Sequence, residues 1–339
     1  MKKQGFYLKT LNDNENHYHL GGDCLKKWGV LFGLLILLGL SLSIGSHPLE
    51  ILSENTLTTT DKLLFYYTRI PRTISLVLAG ATLCVCGAIL QHLFQNKFVS
   101  VSTIGMMDSA RLGILLVMLF LPNSPLFLRA LTAFLFAYVG VLIFLIIQQF
   151  VPRYNPFLLP LTGIMLGNIV GSIATYFAYQ FQLVQNLSSW LQGNFALVFA
   201  GNYELIYLCI PVLIILYLLG FKIMIAGLGE ELANSLGISY RQLQLVVCAL
   251  IALACCAVLM MVGSIPFIGI VIPNIVSMIY GDYLKHTLIF NALLGSMFLL
   301  FCDVLSRIII YPYEIPVSVT AGILGGAIFI YILFRRRLA

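Results

Sequence analysis

The chain has 339 residues, of which 60% are hydrophobic and 9% are charged, and its formal net charge is +6. Soluble domains carry about 25% charged residues, so this composition and the mean hydropathy of +0.99 exclude a soluble globular protein. The cations are scattered between apolar runs rather than clustered on one face, which argues against a nucleic-acid partner. The sequence therefore predicts an integral membrane protein.

The chain begins with a polar segment that lacks the basic, apolar and small-residue order of a signal peptide. We interpret residues 1–27 as a cytoplasmic N-terminal tail and residues 28–337 as one transmembrane domain. Two histidines and a distant cysteine in the tail make a poor ligand set, so we predict no metal site.

Apolar segments then recur along the whole chain, and most are long enough to cross a bilayer core of about 30 Å. They cover residues 28–45, 73–95, 104–121, 127–150, 158–180, 204–225, 242–262, 265–280, 286–306 and 317–334. The segment 187–200 is too short and too polar to cross, and we expect it to lie at the interface or to re-enter. The prediction is an all-α polytopic membrane protein with about ten transmembrane helices.

Lysine and arginine residues favour one side of this arrangement, as the positive-inside rule requires. An even number of spans places both termini on the same side, and most of the 19 cations fall there. Both termini are therefore predicted to be cytoplasmic. The cations assigned to the outside are Lys62, Arg69, Arg72, Arg129 and Arg307.

The stretch YYTRIPRTISLVLAGATL, residues 66–83, places Arg69 and Arg72 at the outer mouth of the second span. One interpretation is a pair of solvated interface residues that snorkel toward water. The other is a docking site for an anionic partner or substrate. Arg307, at the outer end of another span, makes a third cation at the same predicted level.

Few ionisable residues lie within the spans, and charges there are functional candidates by default. Asp108 and Arg111 are three residues apart, and Asp303 and Arg307 are four apart, so each pair is predicted to form a local ion pair on one helix. The spans lack the series of acids typical of ion-coupled carriers. No nucleophile and base pair and no nucleotide-binding loop is present. The sequence therefore predicts neither an enzyme nor a cofactor site.

A short amphipathic helix is predicted in the cytoplasmic loop AGLGEELANSLGIS, residues 226–239. Two glutamates occupy its first turn, Leu232, Ala233 and Leu236 are expected on one face, and Gly237 stands where a C-terminal cap falls. The plain interpretation is an ordinary loop helix that lies on the membrane.

Five ordered blocks resemble the FecCD family of ABC-importer permeases, whose type II import fold carries iron–siderophores, haem and vitamin B12. The resemblance covers about residues 62–337. Its blocks are RIPRTISLVLAGATL (69–83), QHLFQNKFVSVSTIGM (91–106), GLGEELANSLGIS (227–239), GSIPFIGIVIPNIV (263–276) and DVLSRIIIYPYEIPVSVTAGILGGAIFIYILFRR (303–336).

The resemblance implies a subunit that pairs with a second permease around a central path in the bacterial cytoplasmic membrane. Two cytoplasmic ATPase subunits power it, and a substrate-binding protein docks from outside. The loop at 227–239 is then the coupling helix that contacts the ATPase, and the residues that match the family motif are Leu228, Gly229, Glu230, Ala233, Leu236 and Gly237. Arg69, Arg72 and Arg307 match the outer arginines that meet acidic residues of the binding protein.

Two departures from the family pattern point to one branch of it. Residues 96–99 read NKFV where the family commonly has Asn-Pro-Leu-Ala, and residues 273–277 read PNIVS where it often has Pro-His-x-x-Arg. These variants resemble the second permease of systems that import catecholate-type ferric siderophores, which implies a heterodimer. A stand-alone secondary carrier and an intramembrane enzyme are the alternative classes, and the missing intramembrane acids and catalytic pairs argue against them.

Overall fold

A computed structural model describes residues 20–44, 63–151, 157–311 and 313–338, and almost all of them are helical. Residues 1–19 of the predicted tail lie outside the described residues, and the first helix already begins at Leu20. The helices are α1 (Leu20–Ser43), α2 (Ile70–Leu93), α3 (Met106–Phe120), α4 (Leu126–Ile147), α5 (Leu158–Gln180), α6 (Val184–Leu191), α7 (Cys209–Leu218), α8 (Gly220–Ala226), α9 (Glu230–Ser235), α10 (Tyr240–Val262), α11 (Ile268–Tyr280), α12 (Leu284–Ile308) and α13 (Val317–Leu338).

Helix length qualifies the predicted count of ten spans. Each predicted apolar segment is helical, but in the described part of the chain only six helices are long and apolar enough to cross a membrane, or seven if the pair Glu204–Leu218 and Gly220–Ala226, bent by 58°, is one span. Helices α3 and α11 and the apolar part of α1, Gly29–Ser43, are shorter. The prediction of an all-α polytopic protein is confirmed, and the number ten is approximate.

Helix α2 lies at the centre of the bundle, because 83% of its apolar window is buried, against 28% for α5 and α13. Glycines bring its backbone against two neighbours. A methyl group on Gly80 would lie 2.4 Å from the carbonyl oxygen of Gly295 in α12, and one on Gly87 would lie 2.0 Å from that of Gly269 in α11. These contacts confirm close packing through small residues.

The chain breaks between α10 and α11, where the sequence analysis placed a boundary. Gly263 has a φ of +91° and Phe267 a φ of +63°, and the turn between them leaves backbone groups without helical partners. The segment 191–194 supplies the partners: the amide of Ser264 donates to Leu191 O at 3.1 Å, and the amide of Asn194 donates to Val262 O at 3.0 Å. The short segment predicted at 187–200 is therefore packed against this break.

Candidate functional site

Three arginines that the sequence places at one membrane level converge in the structure. Arg69, Arg72 and Arg307 are 7%, 9% and 5% exposed. Asp303 is fully buried and accepts hydrogen bonds from two of the three guanidinium groups. We refer to Arg69, Arg72, Arg307, Asp303 and Glu314 as the arginine cluster.

Hydrogen bonds within the arginine cluster are direct and mostly between charged groups. Arg72 donates through Nε and Nη2 to Asp303 Oδ1 at 3.0 and 2.7 Å, and through Nη1 to Glu314 Oε2 at 2.7 Å. Arg307 Nη2 donates to the other carboxylate oxygen of Asp303. The predicted Asp303–Arg307 pair is thus confirmed. Glu314, which precedes the last helix, pairs with Arg72.

Two of these arginines bind the end of helix α1. Arg69 Nη1 donates to the carbonyl oxygens of Leu42 and Ser43 at 2.8 and 2.9 Å, and Arg307 Nη1 donates to that of Ser41 at 3.0 Å. The last carbonyls of a helix have no partner within it and carry partial negative charge, which suits a cation. The interpretation of Arg69 and Arg72 as solvated, snorkelling residues is therefore wrong, since Arg69 is buried against α1 and Arg72 is buried against Asp303 of α12.

Local sequence explains how these side chains meet. Pro71 stands in the first turn of α2, where a missing amide costs no hydrogen bond. Arg69 and Arg72 are three residues apart across it, and Asp303 and Arg307 are one turn apart on α12. Because α2 and α12 pack through Gly80 and Gly295, their cluster-bearing ends lie side by side.

The loop at residues 227–239 lies at the other end of α2 and forms the short helix α9. Gly229, with a φ of +121°, precedes it, and Gly237, with a φ of +78°, follows it; both backbone conformations favour glycine. Ala233 is fully buried, whereas Leu228 and Leu236 are 62% and 59% exposed. The prediction that Ala233 shares a face with Leu232 and Leu236 is wrong, because Ala233 alone points into the bundle.

Hydrogen bonds tie this loop to the end of α2. Gln95 Nε2 donates to Gly227 O at 2.9 Å, and the Tyr240 hydroxyl, at the start of α10, donates to Leu93 O at 3.1 Å. The amide of Tyr240 also donates to Asn234 Oδ1 at 3.2 Å. These bonds connect the loop that contains α9 to the end of α2 and to the start of α10.

The two departures from the family pattern meet in space, which the sequence analysis missed. Lys97 Nζ donates to Ser277 Oγ at 2.5 Å and pairs with Asp282, while Asn274 Nδ2 donates to Lys97 O at 2.9 Å. Lys97 thus places a cation beside Ser277, where the family motif often has arginine. The sequence did contain a signal for this contact, because a lysine appears in residues 96–99 while the arginine of the family motif is missing from residues 273–277.

The carboxylate in this group lies in the loop between α11 and α12. Burial raises the pKa of Asp282, but hydrogen bonds from Lys97 and Ser277 and the charge of Lys97 lower it more, so its pKa lies below the usual value. The Asp282 carboxylate is therefore charged at neutral pH.

Asp108 and Arg111 do not form the predicted ion pair. The described residues contain four ion pairs within 4.0 Å, and none of them joins these two side chains. Among the same residues no three His, Cys, Asp or Glu side chains gather as metal ligands. Seven cysteines in this part of the chain are unpaired and buried.

These features define a polytopic helical membrane protein with the fold of a type II ABC-importer permease. A solved structure of an ABC transporter of the metal-chelate type, in an inward-facing conformation, superposes with a TM-score of 0.78 at 22% identity, over 91% of this chain and 98% of that one. The FecCD transport family profile matches residues 33–335. The chain belongs to the FecCD transport family.

Its relatives are transport permeases. The petrobactin import system permease protein YclN of Bacillus subtilis is 46% identical over 91% of this chain and 98% of its own. The ferric-anguibactin transport system permease protein FatD of Vibrio anguillarum is 39% identical over 79% of this chain and 85% of its own.

Proposed function

We propose that this chain is a permease subunit of an ABC importer that carries ferric siderophore complexes across the bacterial cytoplasmic membrane, with both termini in the cytoplasm. The observation that carries the proposal is the 46% identity to a petrobactin permease over 91% of the chain. Ferric petrobactin is therefore the first substrate to test.

The test is uptake of radio-iron-labelled ferric petrobactin by a bacterial strain without siderophore permeases of its own. The strain expresses this chain with the ATPase, the second permease and the binding protein of the same importer. We expect iron uptake that stops when the ATPase is inactivated, and vitamin B12 serves as the control substrate. Uptake of vitamin B12 without uptake of any ferric siderophore would overturn the proposal.

The loop helix α9 is the proposed contact with the ATPase, through Leu228, Gly229, Glu230, Ala233, Leu236 and Gly237. The exposure of Leu228, Leu232 and Leu236 supports this role, because the described part of the chain leaves these apolar side chains uncovered. We assign the contact itself to Leu228 and Leu236 and the anchoring of the helix to Ala233.

The partner in the membrane is proposed to be a second, different permease. Co-purification with a tagged form of this chain is the direct measurement. Equal amounts of two distinct permeases are expected, and a complex that contains only this chain would refute the heterodimer.

The end of the molecule at Arg69, Arg72 and Arg307 is the proposed docking surface for the binding protein. Convergence of the three cations supports a common surface, and their bonds to Asp303, Glu314 and α1 mean that an acidic partner has to compete with internal acceptors. Charge pairing of this kind chiefly sets the rate of encounter.

Docking is tested by the affinity of the binding protein for the Arg69→Glu, Arg72→Glu double variant at low salt, with Arg129→Glu as a matched charge reversal elsewhere. We expect weaker docking only in the double variant, with its thermal stability measured separately. Unchanged affinity of a folded double variant would remove the docking role.

A further inference from the structure

Helix α5 carries a polar stripe on a largely exposed face. Its members are spaced three and four residues apart, so they share one helix face, and they are Asn168, Gly171, Ser172, Thr175, Tyr176 and Tyr179. Asn168, Ser172 and both tyrosines are exposed, while most of the helix is apolar. Polar groups that face lipid are costly, and such a face normally lines water or another protein.

A groove of about 460 Å³ runs along this stripe, and Asp108 and Arg111 of α3 form its other wall. Arg111 Nη2 donates to Thr175 Oγ1 at 3.3 Å, but its Nε is buried and has no hydrogen-bond partner within the described part of the chain. The guanidinium group therefore has a donor that no described residue accepts.

Glycines in α5 make room for the carboxylate beside it. A methyl group on Gly167 would lie 2.6 Å from Asp108 Oδ2, and one on Gly171 would lie 3.3 Å from Oδ1. The carboxylate of Asp108 thus lies directly against the α5 backbone. Asp108 and Arg111 line the same groove, although they form no ion pair within 4.0 Å.

The depth of this charge pair follows from its position along α5. Gly167 and Gly171 lie roughly 14 and 20 Å from the start of α5 at Leu158, at a rise of about 1.5 Å per residue. A bilayer core is about 30 Å thick. Asp108 and Arg111 are therefore near the middle of the membrane, and not at its inner edge.

The same two residues also line a second, partly open pocket of about 350 Å³. Its other walls include the segment 100–102 after α2 and the break between α10 and α11, residues 264–269. Arg111 consequently lines both the groove along α5 and this second pocket. A charged side chain in this position is typical of a substrate path.

We propose that Arg111 and the polar stripe of α5 form a contact site for the anionic oxygen atoms of the transported ferric chelate. This inference rests on the proposed function. Siderophores bind iron through deprotonated oxygens, and chelates of the catecholate or citrate type carry net negative charge. A guanidinium group offers five donors that suit such oxygens, and the stripe adds amide and hydroxyl groups.

Asp108 has a distinct part in this site. An uncompensated arginine at mid-membrane depth would be costly, and Asp108 balances its charge while the groove is empty. The site is then close to neutral overall, so that an anionic chelate is held by local hydrogen bonds rather than by a large net charge, and can leave again.

The first experiment measures whether the groove holds water and substrate. In the assembled importer in proteoliposomes, with Cys24→Ser as background, Ser172→Cys is treated with a membrane-impermeant thiol reagent during turnover. We expect labelling that ferric petrobactin slows several-fold, while the exposed control Ser188→Cys on α6 is unaffected. An unreactive Ser172→Cys, as expected of a lipid-facing position, or labelling that ferric petrobactin does not slow, would overturn the inference.

The second experiment tests the guanidinium group. Arg111→Gln is expected to lower the rate of ferric petrobactin uptake about tenfold, the equivalent of one hydrogen bond to a charged group, with ATPase activity and binding-protein affinity unchanged. Arg111→Lys should fall between, and the control Arg129→Gln should match the wild type.

The outcomes separate the two proposals. If Arg111→Gln imports ferric petrobactin at the full wild-type rate, the contact site is overturned and the proposed function stays intact. No uptake of ferric petrobactin, ferric anguibactin or ferric citrate by the wild-type importer would overturn the proposed function itself. The labelling experiment keeps Arg111 in place, so it decides the inference even where the Arg111 variants do not fold.

Discussion

The two ends of helix α2 use their side chains in opposite ways. Beside its first turn, the three arginines and Asp303 are buried, and Arg72 and Arg307 share the Asp303 carboxylate. Beyond its last turn, Leu228 and Leu236 flank the loop helix α9 and are exposed. Removing one partner of a buried charge pair is strongly destabilising, whereas exposed leucines gain free energy only when a partner covers them. The first end therefore holds the bundle together and can meet the proposed binding protein only in competition with its internal bonds, whereas the second end exposes apolar side chains for contact.

The largest effect is expected where two guanidinium groups share one carboxylate. Asp303→Asn leaves Arg72 and Arg307 without their common anion, and breaking a buried pair costs about 3 to 5 kcal/mol. We expect a large drop in the thermal midpoint in detergent, with little folded protein. Glu230→Gln, a change at an exposed acid, is the control. A thermal midpoint of Asp303→Asn equal to that of the wild type would contradict the conclusion that this end stabilises the bundle.

The opposite result is expected at the loop helix. Leu236→Glu places a charge at one of the two exposed leucines, Leu228 and Leu236, that we assign to the ATPase contact. The affinity for the ATPase should fall about tenfold or more, as at an interface hot spot. Its thermal midpoint should remain near the wild-type value, because surface substitutions change stability by about 0.5 kcal/mol or less. The control variant Ser235→Glu, at the end of α9 but not at a contact leucine, should bind the ATPase normally. A Leu236→Glu variant that loses stability but keeps normal ATPase affinity would contradict the assignment of this end to contact.

A smaller effect is expected at the connection between the loop helix and α2. Tyr240→Phe removes the hydrogen bond to Leu93 O, worth about 0.5 to 1.5 kcal/mol. The number of ATP molecules hydrolysed per substrate imported should rise while ATPase binding is unchanged. Tyr203→Phe, in the exposed pair with Tyr207, is the control. An unchanged ratio would show that coupling bypasses this bond.

The smallest effect is expected at Lys97, whose partner Asp282 is largely exposed. Exposed ion pairs contribute about 0 to 1 kcal/mol, so Lys97→Met should barely shift the midpoint, and a double-mutant cycle with Asp282→Asn measures the coupling. Because the pKa of Asp282 is lowered, the pair persists at neutral pH and is lost only when acid protonates the carboxylate. A shift as large as that of Asp303→Asn would contradict this ranking.

Much of the fold was predictable, because apolar length and the small residues of α2 are local properties. The helix count was less so: α3 and α11 are short, and helix length depends on where the backbone finds partners outside the helix. For the break at 263–267 those partners are residues 191–194, which are distant in sequence.

The candidate site divides in the same way. Spacing predicted that Asp303 would pair with Arg307, but not that Arg72 would share the same carboxylate from another helix. Spacing also suggested a pair between Asp108 and Arg111, which packing against Gly167 and Gly171 replaces. The polar stripe of α5 was readable as a three- and four-residue repeat, although its pairing with α3 required the structure.

The break between α10 and α11 has a consequence for biosynthesis. At the break, the amide of Ser264 donates to Leu191 O and the carbonyl of Val262 accepts from the amide of Asn194, while the amide of Ser318 at the start of α13 donates to Gly193 O at 3.0 Å. Residues 191–194 are synthesised before residues 263–267. The hydrogen-bond partners of the break are therefore already present when α10 and α11 enter the membrane. A circular permutant that synthesises this segment last should expose the break to lipid and be degraded during insertion.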